Sequence, residues 1–215
     1  MDFSAVMEIV AAVGAVAAYV FHRRKEPHRL SPHPEDRAAT TPIADLREGA
    51  WSRVCGIVEA AGAPLTSPVG RQSCIGFRLL IERRALGESW SPVIKRQRCQ
   101  SFRIRDDSGE ATVAGPFLFG LDVDDGAWAG LPSDVYEILH KAKVRTSALG
   151  GSYEFRFSQA LLKPGDRISI LGRAKRQLDP SGASAGYRSP PVAWHFKGTT
   201  RRPIALTDED DPVTV

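Results

Sequence analysis

Sulfur is scarce in this chain: Cys55, Cys74 and Cys99 are its only cysteines, and no two of them lie within four positions of each other. A disulfide framework needs paired cysteines and a cross-brace zinc module needs clustered ones, so neither follows from this pattern. Histidine does not make up the deficit. His22, His28 and His33 precede the candidate domain, while His140 and His195 stand alone. No metal site and no cofactor is expected. Ser67, Ser73 and Ser101 lack a Gly-x-Ser-x-Gly elbow, which leaves the chain without a recognisable nucleophile. Asp122, Asp124 and Asp125 share a short stretch, but the spaced oxygen ligands and distal Glu of a calcium loop are missing. Internal repeats are absent too, which argues against a solenoid. No catalytic residue is nominated.

Long apolar runs are equally rare, and the single one stands at the start. Phe3 to Phe21 is interrupted only by Ser4, Glu8 and Gly14, and is followed by His22, Arg23, Arg24 and Lys25. Nineteen residues make about 28 Å of helix, close to the thickness of the bilayer hydrocarbon. A signal peptide carries its positive charges before the apolar region, whereas here they follow it. The expectation is a single transmembrane helix over residues 3–21. Its N-terminus faces outside and the bulk of the chain is cytoplasmic, because Lys and Arg remain inside. Glu8 has no ionisable partner in the run and is read as reaching the headgroups. Small residues four apart, Ala11 with Ala15 and Gly14 with Ala18, would let two such helices approach closely, a route to a homodimer.

Behind the run, residues 22–42 form a basic stretch holding Pro27, Pro32, Pro34 and Pro42, a composition that keeps a linker partly extended. Period-two alternation then marks strands. Trp51–Glu59 is one, with Gly56 at a bulge or crowded crossing. A loop over residues 60–71 precedes Cys74–Arg83, which places Ile75, Phe77, Leu79 and Ile81 on one face. Residues around Trp90 and Pro92 read as a polar excursion. Cys99–Arg105 and Glu110–Ala114 flank the turn Asp106–Gly109, whose side chains satisfy a tight hairpin and tolerate positive φ. Residues 116–130 read as a loop. Leu131–Lys141 is the one helix expected after the linker, with Pro132 in its first turn and an apolar stripe of Val135, Ile138 and Leu139. Strands follow at Tyr153–Phe157, Arg167–Arg173 and Val192–Lys197, with a turn over residues 161–166 and acidic residues at the end. The expected class is mainly β (α+β): a small OB-like barrel or sandwich with one peripheral helix, behind the transmembrane helix. The domain spans 43–204 and an acidic tail spans 205–215.

The domain is basic, with about 24 Lys and Arg against about 16 Asp and Glu between Asp45 and Arg202. Lys95, Arg96 and Arg98, with Arg103 and Arg105, form one candidate basic surface, and Arg173, Lys175 and Arg176 another. An anionic bilayer or a protein partner is the expected ligand class. Nucleic acid ranks below these, since stacking would fall to Phe102, Tyr153 and Trp194, and alternation turns some of them inward. Cys74, entering an apolar strand, is read as a small buried hydrophobe, and Asp166 as a turn residue accepting from backbone donors.

Two stretches, VCGIVEAAGAPLTSPVGRQSCIGFRLLIE from Val54 to Glu82 and YEFRFSQALLKPGDRISILGRA from Tyr153 to Ala174, resemble the GIDE family, the beside-a-membrane domain. The residues carrying the resemblance are Gly56, Pro64, Pro68, Cys74, Phe77, Gly165, Asp166 and Gly172. The best-known members are RING-type E3 ubiquitin ligases of organelle membranes, in which this domain recognises substrates. No RING follows the resemblance within the 215 residues. What it implies is therefore an anchored recognition module, with ubiquitin transfer requiring a RING supplied by another chain.

Overall fold

The computed structural model describes residues 39–85, 88–121, 131–148, 151–178 and 192–208. The apolar run Phe3–Phe21, its flank His22–Lys25 and the linker as far as residue 38 lie outside them. Among the described residues no helix is long and apolar enough to cross a membrane.

A short 3-10 turn, Ile43–Asp45, leads into β1 (Trp51–Ala60). There follow β2 (Leu65–Thr66), β3 (Ser73–Cys74), β4 (Gly76–Arg84), β5 (Ser91–Cys99), β6 (Phe102–Asp106), β7 (Gly109–Ala114) and β8 (Phe117–Gly120). Helix α1 (Ser133–Lys141) separates these from β9 (Ser147–Ala148), β10 (Gly151–Ser152), β11 (Glu154–Leu162), β12 (Arg167–Leu178), β13 (Val192–Lys197) and β14 (Ile204–Asp208).

Strict alternation in β1 sends Ser52, Val54, Gly56 and Val58 inward and leaves Trp51, Arg53, Cys55 and Ile57 half-buried outside. Such a strand curls over a core, and five of them close a barrel in the order β1-β6-β7-β13-β12, with β12 returning to pair with β1. Every barrel contact is antiparallel except β7 with β13. Counted along the chain, the barrel strands lie first, second, third, fifth, fourth, an arrangement consistent with an OB-type barrel and not with two stacked sheets. Closure removes the edges of these strands. The long β12 also carries β14, and β8 runs parallel to β14 at the end of the same sheet. Phe102, Ile104, Ile168, Ile170, Phe196 and Leu206 are buried completely or almost so in this core.

A second sheet, β11-β4-β5, is inserted between the barrel strands. One face packs on α1, joining Leu79, Ile81 and Ile94 to Val135, Ile138 and Leu139 in a separate core. The expected helical stripe therefore finds its partner here. Gln159 is buried within this region, donating to the Val69 carbonyl at 3.0 Å and accepting from the Val69 amide at 3.1 Å.

Five expectations are corrected. The stretch read as a polar excursion contains β5, an edge strand whose exposed charges hide its period. The stretch read as a loop before the helix begins with β8, and β14 (Ile204–Asp208) runs from the last residue of the expected domain into the stretch read as an acidic tail. Ile75 does not share a face with Leu79 and Ile81: the chain breaks between β3 and β4, and Ile75 enters the barrel core. The tight turn at Asp106–Gly109 is present, but no residue in it has positive φ.

That turn is held by a side chain. The Asp106 carboxylate accepts from Ser108 N (2.7 Å), Ser108 Oγ (2.6 Å), Gly109 N (2.9 Å) and, across the chain, Ile43 N (2.9 Å). Burial alone would raise its pKa, but these donors outweigh it and hold the group below the ordinary aspartate value of 3.8. A depressed folded pKa contributes stability above the unfolded value and loses it as pH falls through the folded one. Asp106→Ala should cost about 1.5 kcal/mol at neutral pH. In urea titrations, the difference from wild type should shrink below pH 4, as the wild-type carboxyl protonates.

Candidate functional site

The free face of the inserted sheet divides into two regions. Near the barrel, Arg78 donates to the Phe119 carbonyl at 2.7 Å and Gln97 donates to the Phe117 carbonyl. These carbonyls belong to β8, which has a single neighbour, so side chains of one sheet cap the open edge of the other. Farther out, the Arg84 and Arg156 guanidinium carbons each lie 4.7 Å from the centre of the Trp90 ring. Arg84 also pairs with Glu154 at 2.6 Å and Arg156 with Glu82 at 2.5 Å. This clamp ties the start of β5 to β4 and β11. Its four charges are matched within it, so it presents no unbalanced charge to a ligand.

Most of the first candidate basic surface lies on β5. Lys95, Arg96 and Arg98 are exposed and their side chains make no ion pair or hydrogen bond among the described residues, and β5 carries no carboxylate between Ser91 and Cys99. Their cross-strand neighbours on β4 are Leu80, Leu79 and Phe77, which cannot neutralise them. The second candidate surface lies on a different sheet, on β12. There the Arg173 guanidinium sits 5.8 Å from the Trp51 ring and Arg176 4.9 Å from the Trp194 ring, while Lys175 is exposed. Arg103 and Arg105 share Glu59, at 3.7 and 3.1 Å. The two clusters are thus not joined on one strand or one sheet. The edge position of β5 and the Trp90 clamp escaped sequence reasoning, since neither leaves a hydrophobic period to detect.

The aromatic residues considered for stacking are already engaged. Phe102 is fully buried, Tyr153 lies under Arg83 at 4.5 Å, and Trp194 is packed against the barrel core. The outward positions of β6 and β7 hold Arg103, Arg105, Glu110 and Thr112, with no aromatic residue among them.

The residues shared with the GIDE pattern have structural work. Leu65, Cys74 and Phe77 form a small cluster with Leu161, and the hairpin between Pro64 and Cys74 is closed by Ser67 Oγ, which accepts from the Gln72 amide and donates to the Val69 carbonyl. Pro68 lies within that hairpin. Gly165 turns the chain at φ 91°, and Asp166 accepts from the Lys163 amide at 2.6 Å. The same turn docks on β1, where Gly165 N donates to the Val58 carbonyl and Val58 N to the Asp166 carbonyl. Gly172 lies against Phe196, 3.1 Å from where a Cβ would stand.

An open cleft of about 560 Å³ at one end of the barrel is lined by Thr40, Pro42, Cys55, Asp106, Asp107, Ser108 and Arg167. Its most tightly bonded acid, Asp106, is committed to the hairpin. Among the described residues no group of three or more His, Cys, Asp or Glu side chains is placed to hold a metal ion. The thiols differ in environment. Burial pushes Cys99 up to about 12 and raises Cys74, which is fully buried, whereas Cys55 is half-exposed beside the cleft. Iodoacetamide at pH 8, read by peptide mass spectrometry, should label Cys55 at least about tenfold faster than Cys74 or Cys99, because Cys74 lacks access and the raised pKa of both leaves them short of thiolate.

No model of a known protein family matches the chain, and no curated protein matches it.

Proposed function

We propose that this chain is a single-pass membrane protein whose cytoplasmic domain, a GIDE-like module built on an OB-type barrel, recognises an anionic partner. The observation that carries the reading is the charge bookkeeping of the domain surface. Glu59, Glu82, Asp134, Glu137 and Glu154 pair with neighbouring Arg and Lys residues, while Lys95, Arg96 and Arg98 are exposed and unmatched among the described residues. Uncompensated cations on a rigid sheet attract anionic protein segments or lipid headgroups. The run Phe3–Phe21 with its trailing basic flank supplies the anchor. As an adaptor, the domain brings its partner to the membrane. Single-stranded nucleic acid is a poorer match, because the outward faces of β6 and β7 offer no stacking ring.

The experiment has two parts. Reporters active on only one side of the membrane, fused after Val215, should report a cytoplasmic C-terminus; activity solely on the outside overturns the topology. The full chain in neutral detergent should bind acidic peptides or phosphatidylserine vesicles at low salt, and the binding should weaken steeply as salt rises.

A further inference from the structure

We propose that the open edge of β5 receives an extended acidic peptide segment, added to the β11-β4-β5 sheet as a fourth strand. This inference rests on the binding reading above and names the partner class and the surface.

The first support is topological. The inserted sheet ends at β5, whose second edge has no strand partner among the described residues. Such an edge presents unpaired amides and carbonyls. Of the other edges, the barrel strands close on one another and the β8 carbonyls at Phe117 and Phe119 are taken by Gln97 and Arg78, while the outer edge of β11, also without a strand partner among the described residues, carries Arg156, already paired with Glu82. β5 is nine residues long and, among the described residues, has neither cover.

The second support is the placement of charge. Register puts Lys95 opposite Leu80, Arg96 opposite Leu79 and Arg98 opposite Phe77. Lys95 therefore projects on one face of the sheet, and Arg96 and Arg98 on the other. A bilayer is a plane and engages one face at a time. A strand added in the plane of the sheet sends successive side chains to both faces, within about 5 Å of their cross-strand neighbours. Cations divided between the two faces thus match an extended segment with acidic side chains on both sides. They also reject alternatives, since two β5 edges brought together would oppose like charges, and a basic strand would be repelled. Backbone pairing supplies affinity while the cations supply selectivity, the logic of β-strand addition.

The test uses the full chain in neutral detergent and a fluorescein-labelled peptide of about ten residues alternating Glu and Val, a length that spans one strand. Wild type should bind it at low salt. Lys95→Glu, Arg96→Glu and Arg98→Glu combined should weaken binding at least about tenfold, while reversal of the exposed Arg47, Arg145 and Arg201 should leave it within about twofold. A peptide with its central Val residues replaced by Pro should bind at least about tenfold more weakly, because proline cannot donate to the ladder. Equal binding of the proline peptide, or indifference to the β5 reversal, overturns the proposal. So does loss of phosphatidylserine vesicle binding on β5 reversal in a wild type that ignores the peptide, since the bilayer would then be the occupant. Wild type that binds neither peptide nor vesicles removes the broader reading as well. Should the reversed variant not fold, hydrogen exchange on wild type decides: new protection should fall on β5 amides when peptide is added, and protection confined to other strands overturns the assignment.

Discussion

Phe102→Ala should lower the stability of the domain by about 4 kcal/mol, the upper part of the range for emptying an aromatic site in a packed core. Phe102 is fully buried, begins β6, and stacks with Phe117 at a ring separation of 5.8 Å. β6 is pinned between β1 and β7 by the closed barrel, so the surrounding backbone has little freedom to collapse into the space. A thermal melt of the full chain in detergent, followed by far-ultraviolet circular dichroism, should show a midpoint about 10 °C lower. Phe102→Leu, which refills most of the volume, should recover more than half of the loss. The substitution also separates two roles for this ring. A stacking platform would lose nucleic-acid binding at unchanged stability, whereas a core residue loses stability first.

Gly56→Ala should cost about 3 kcal/mol, well above the usual cost of a single added methyl group. A Cβ on Gly56 would stand 2.5 Å from the Arg105 carbonyl oxygen and 2.9 Å from its carbon. The obstacle is backbone in a neighbouring barrel strand, so β1 and β6 must separate where Ile57 pairs with Arg105. Gly165 provides the contrast. Its φ of 91° is one that L-residues adopt at a cost, yet nothing lies within 4 Å of an added Cβ. Gly165→Ala should therefore lose only about 1 kcal/mol, by backbone strain alone. Urea unfolding of both variants distinguishes the two causes, and equal losses would mean that the crowding at Gly56 relaxes cheaply.

The elements legible in the chain were those whose burial is one-sided. β1, β6 and β7 alternate because one face meets the barrel core and the other does not. The stripe Val135, Ile138 and Leu139 was legible for the same reason at helical spacing. β5 was missed because an edge strand, its charges exposed on both faces, has only Ile94 buried. β8 and β14 were missed because they are short and lie in stretches rich in loop residues or acids. Of the candidate binding residues, Lys95, Arg96 and Arg98 were visible as a charge cluster, yet their position on an open edge was not. Arg103 and Arg105 looked equivalent to them in sequence, and the shared Glu59 makes them different.

By itself, then, the sequence determined the mainly β class, the helix Ser133–Lys141, the hairpin at Asp106–Gly109 and the basic character of the domain, because each depends on neighbours a few positions apart. Only the tertiary structure decided that the strands close into a barrel, that a second sheet with its own core is inserted between them, and which cations remain unmatched. Those outcomes depend on pairings such as β1 with β12 and Arg156 with Glu82, between residues more than seventy positions apart, whose register no local pattern encodes.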